Sequence, residues 1–117
     1  MTNQEAFNII VRHMRQQGKR SMSSDIPGMC AYRGKDGTKC AVGALIPDEE
    51  YHPDMEGESV VWIGQTYQLK SLQTLNIDML REAQRAHDNM DPLAFTPEDV
   101  DARFASIAKH YGLTMPD

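Results

Sequence analysis

The chain of 117 residues has only two cysteines, Cys30 and Cys40, and one tryptophan. A domain of this length folds on a packed core and needs no covalent staples. Long apolar runs are missing. The longest, Val60-Val61-Trp62-Ile63, has four residues, against the roughly 20 that cross a bilayer, so no membrane association is expected. The start, Met1-Thr2-Asn3-Gln4-Glu5, lacks the basic and apolar blocks of a secretory leader. A cytoplasmic setting with reduced thiols is the resulting expectation. Gly34-Lys35-Asp36-Gly37-Thr38-Lys39 holds glycine, lysine and threonine, but not in the order of a phosphate-binding loop. No Cys-x-x-Cys or His-x-x-x-His spacing occurs, and no internal repeat is present.

Hydrophobic residues make up 40% of the chain and charged residues 25%. That balance marks a globular protein, read as a single domain over 1–117. The net charge of −5 is unevenly spread: residues 1–40 carry +4, and residues 41–117 carry −9. Such asymmetry can orient a partner, or can simply keep two faces solvated.

Helical patterning dominates. Phe7, Ile10, Val11 and Met14 form one stripe, opened by the capping-box pair Thr2 and Glu5 and closed by Gly18. Leu69, Leu72, Leu75, Met79, Ala83, Ala86 and Met90 trace a longer helix, ending near Asn89. Thr96-Pro97-Glu98-Asp99 places cap, proline and acids in order before the Val100, Phe104, Ile107, Ala108 and Tyr111 face. Pro47 to Tyr51 reads as one helical turn, stopped by His52-Pro53. Val60 to Thr66 fits either an extended segment or a helix. Asp36-Gly37 lies between Met29–Arg33 and Thr38–Val42, a hairpin signal. A competing reading starts a helix near Thr38 and runs it to Ala44. The expected fold is therefore mainly α, a small helical domain with a minor β-hairpin at about 29–42.

Several residue sets offer chemistry. Across such a hairpin, Cys30 and Cys40 would sit opposite each other, and with His52 and His87 they are the weak candidates for a zinc site. Cys40 beside Lys39 suggests an activated thiol, with His87-Asp88 as base and orienter. Neighbouring helical residues point about 100° apart, which argues against that pairing. The acids Asp48, Glu49, Glu50, Asp54, Glu56 and Glu58 lack the alternation and central glycine of a calcium loop and read as a solvated surface. Arg12, Arg15, Lys19, Arg20, Arg33, Lys35 and Lys39 are a basic set that can meet phosphate, with Tyr32 as its one stacking ring. Arg33 and Tyr32 can also bridge to the Asp48–Glu50 turn and pin the hairpin to the helices.

Part of the chain resembles a family. The block Cys30-Ala31-Tyr32-Arg33, then Gly37-Thr38-Lys39-Cys40-Ala41-Val42-Gly43-Ala44-Leu45-Ile46-Pro47-Asp48-Glu49-Glu50-Tyr51, then Met55-Glu56-Gly57, is similar to small uncharacterised bacteriophage and prophage proteins. The amphipathic helix before it and Ala86-His87-Asp88 extend the likeness. The resemblance implies a phage or prophage setting, in the host cytoplasm, and no particular activity. The expected function is a non-catalytic accessory protein that binds a host or phage macromolecule. Arg12, Arg15, Tyr32, Arg33, Lys35, Lys39, Asp48 and Glu49 are its candidate binding residues, and no cofactor is expected. Two alternatives stand beside it: a metal-binding or hydrolytic domain using Cys30, Cys40 and a histidine, and a nucleic-acid binder using the basic first third.

Overall fold

The computed structural model describes residues 1–117. The protein is a mainly α domain. Its helices are α1 (Asn3–Gln17), α2 (Val60–Tyr67), α3 (Ile77–Asp88) and α4 (Pro97–His110). No helix is long and apolar enough to cross a membrane. The helix ends follow from local chemistry. Thr2 and Glu5 cap each other's backbone amides at the start of α1, and Gly18 ends it in the left-handed region at φ 67°. Thr96 and Asp99 repeat the capping box at α4. α4 packs on both α1 and α3, α2 packs on α3, and Phe7 and Phe104 meet with ring centroids 6.2 Å apart. A cluster of 26 buried residues runs through all four helices.

The third helix begins later than the apolar stripe suggests. Leu69, Leu72 and Leu75 are buried, but the chain there makes successive turns, with Leu72 N–H donating to Leu69 O and Leu75 N–H to Leu72 O. Their spacing of three suits three-residue turns better than a 3.6-residue helix. Asn76 then starts α3 by accepting hydrogen bonds from the amides of Asp78 and Met79. The segment open to two readings resolves as α2, capped by Ser59, whose hydroxyl accepts from Trp62 N–H. The turn at Pro47–Tyr51 forms, with Tyr51 N–H donating to Pro47 O, and it stops at His52, which is extended and caps a separate short 3-10 turn, Pro53–Met55.

The hairpin expected at 29–42 shrinks to one antiparallel bridge, Arg33 with Lys39. Asp36 and Gly37 do form the tight turn, both with positive φ, and Thr38 N–H closes it on Lys35 O. The ladder stops because the next amides are taken elsewhere. Tyr32 N–H and Arg33 N–H donate to the two carboxylate oxygens of Glu56 at 2.8 and 3.0 Å. After Cys40 the chain bends into the 3-10 turn Gly43–Leu45, against α1. Gly43 is required there, since a Cβ would lie 2.3 Å from Tyr32 O. Cys30 pairs with Met22 instead of facing Cys40.

Candidate functional site

The C-terminal end of α3 carries a linked set of polar groups. His87 is fully buried. Its Nε2 accepts the backbone N–H of Ser21 at 3.0 Å. An amide only donates, so the ring proton sits on Nδ1, which donates to Asp88 Oδ1 at 2.8 Å. Asp88 Oδ1 also accepts from Gln84 Nε2 at 3.0 Å, while Gln84 Oε1 accepts from Val42 N–H at 3.1 Å. The expectation that Asp88 cannot orient its neighbour is therefore corrected. On the last turn of α3, the short Asp side chain reaches back to the near ring nitrogen.

Cys30 completes a group of three. Single ligand atoms of Cys30, His87 and Asp88 lie within 4.8 Å of one another. Of the four zinc candidates, the structure brings together Cys30 and His87, with Asp88 as a third member. Cys40 is buried under Gly43, whose N–H donates to its sulfur at 3.3 Å. His52 is exposed and stacks on Tyr67. The histidine fits zinc poorly. Its Nε2 lone pair is committed to Ser21, and a metal on Nδ1 would drive the ring proton to Nε2, against an N–H donor.

Neither thiol is activated. Burial, then the Asp88 charge, pushes Cys30 up to about 11, with Arg20 opposing. Burial pushes Cys40 up to about 12. Both remain thiols at neutral pH, the form that is neither nucleophile nor good ligand. These shifts carry a stability consequence. A group with a folded pKa above its unfolded value contributes stability that is present below the unfolded pKa and is lost as pH rises through the folded one. For the two thiols that window runs from 9.0 to about 11 and about 12. Tyr51, raised by burial and then by Glu56, adds to it between 10.0 and about 12. Urea midpoints are expected to fall steadily between about pH 9 and about pH 12. A flat profile would show that these groups are solvated.

Above this network lies a cavity of about 580 Å³, lined by Arg20, Cys30, Val61, Arg81, Gln84 and Arg85 among others. Gly57, Glu58 and Ser59, at the entry to α2, also line it. Arg20 donates to the Asp88 backbone carbonyl, and its Nε is buried without a partner. Arg81 has only a long contact to Asp78, 3.9 Å, and Arg85 has no ion pair. Arg81, Gln84, Arg85 and Asp88 recur at i, i+3, i+4 and i+7, one face of α3. In the sequence, that polar stripe is the signal for this wall.

The expected binding residues scatter. Arg15 pairs with Asp101 at 2.8 Å and donates to the carbonyls of Pro116 and Asp117. Lys19 pairs with Asp36, and Arg33 with Asp48 at 2.8 Å. Arg33 also donates to Ile46 O and lies 4.3 Å over the Tyr51 ring, so it pins the turn to the body. Tyr32 is buried and donates to Glu58 O. Arg12, Lys35 and Glu49 are exposed and unpaired, while Lys39 is half-buried. Of the seven cations of the basic first third, Arg15, Lys19 and Arg33 are thus paired with acids, and the other four are not. No protein-family model, curated protein or solved structure matches the chain.

Proposed function

We propose that this protein acts by binding, without catalysis, an anionic group of a host or phage macromolecule, held in the arginine-lined cavity. The phage-type block in the sequence supports the choice of partner source. The observation that carries the reading is a contrast within one site. The chemically capable groups, Cys30, His87 and Asp88, lie against each other, with His87 held by the Ser21 amide and Asp88 by His87 and Gln84. Arg20 and Arg85, by contrast, enter the cavity wall with no carboxylate partner. Guanidinium forks next to apolar walls suit carboxylate or phosphate, because charge-assisted hydrogen bonds strengthen as water is excluded.

The test replaces Arg81→Glu and Arg85→Glu together. Both side chains are exposed, so the fold should persist with an unchanged helical spectrum. Components of a host lysate retained by the native protein should be lost from the variant, with affinity reduced at least about tenfold. Equal retention by both proteins would defeat the proposal.

A further inference from the structure

The arginine-lined cavity does not stand alone. Val61 also lines a second cavity of about 290 Å³, formed with Gly64, Leu69, Leu72, Leu75 and Ile77. This groove is mainly aliphatic, with Gln65 and Gln73 also in its lining, and it runs between α2 and the start of α3. Two large apolar side chains stay in solvent on these same elements: Trp62 at 40% and Ile77 at 39% exposure. Apolar surface left open beside a charged rim is characteristic of protein contacts. The geometry of α3 connects the two sites. Ile77, Arg81 and Arg85 are spaced by four and share a face. At about 1.5 Å rise per residue, Arg81 lies roughly 6 Å and Arg85 roughly 12 Å along the axis from Ile77. An extended chain covers that distance in about four residues.

We infer that the partner is a protein segment carrying an aliphatic side chain within about four residues of one or two carboxylates. The aliphatic group fills the α2–α3 groove, and the carboxylates meet Arg81 and Arg85. This inference rests on the anion-binding reading above and narrows it. Charge complementarity selects acids at one end. Aliphatic lining selects an aliphatic side chain at the other, which a narrow groove takes more readily than a planar base. Glu58 and Asp88, which also line the arginine cavity, limit the number of acids that fit, so one or two are favoured over a long acidic run.

The experiment is a selection of random displayed peptides on the full chain. Enriched peptides should place Leu, Ile or Val within about four positions of Asp or Glu. Adding one should change the emission of Trp62, the only tryptophan. Two variants divide the face. Arg85→Glu should weaken an enriched peptide about tenfold or more. Gly64→Gln should block the groove with a similar loss, and it should fold well, because nothing lies within 4 Å of a Cβ there. No enrichment, enriched peptides lacking either feature, or binding indifferent to Gly64→Gln would overturn the inference. The anion-binding reading would survive those results if the lysate component still required Arg81 and Arg85, as it would for a captured nucleic acid. It would fail if that component ignored them.

Discussion

Replacing His87→Ala is expected to destabilise the protein by about 4 kcal/mol, close to a 15 °C drop in melting temperature for a domain of this size. Two effects add. The ring is fully buried, so its loss leaves a void that the packed helices fill only in part. The Ser21 amide also loses its only acceptor, and Asp88 Oδ1 loses one of its two donors, keeping Gln84 Nε2. A buried amide left without a partner costs about 1–3 kcal/mol. His87→Gln separates the two, since its amide oxygen can accept from Ser21 while part of the volume is kept. It should recover about half of the loss. Urea unfolding of the three proteins measures this. A loss below about 1 kcal/mol for the alanine variant would mean that water satisfies Ser21 and that the imidazole is not a structural tie.

The same histidine shows where sequence reasoning ends. Its identity as a candidate ligand was visible, and so was its neighbour Asp88. The Ser21 amide that fixes its tautomer was not, because a backbone group 66 residues away carries no residue signature. Local signals did better. Capping residues marked the starts of α1 and α4, since a cap acts within a few residues of itself. The start of α3 failed for a related reason: leucines at spacing three bury equally well on consecutive turns, and only the Asn76 cap separates the two cases. Arg33 bridging to Asp48 was foreseen from the pairing of charge and turn. The cavity was not, because it joins Arg20 from one end of the chain with a polar stripe on α3 and the entry to α2.

Glu56 is the residue whose role differs most from its sequence reading as one acid on a solvated surface, and Glu56→Ala is expected to cost about 4 kcal/mol. Its Oε1 accepts from Tyr32 N–H at 2.8 Å, and its Oε2 accepts from Arg33 N–H at 3.0 Å and from the Tyr51 hydroxyl at 2.7 Å. One carboxylate thus replaces the strand partner that the hairpin lacks, and it ties that segment to the turn bearing Tyr51. Hydrogen bonds to a charged acceptor contribute about 1.5–3 kcal/mol each, and three sharing one group contribute less than their sum. Glu56→Gln keeps one accepting oxygen but turns an N–H₂ toward amide donors, so it should restore little. A second readout isolates the clamp from general damage. Burial is the main reason that Tyr51 is raised to about 12, with Glu56 next, while Arg33 works in the opposite direction. Without the carboxylate its phenol should ionise at lower pH in the ultraviolet titration of the still-folded variant. The effect should also reach the cavity, because Tyr32 holds the Glu58 carbonyl just before Ser59 caps α2. Binding of an anionic partner should therefore weaken in Glu56→Ala even at temperatures where it is fully folded. Unchanged stability together with an unmoved Tyr51 titration would show that the carboxylate is solvated and that the loop is held by other contacts.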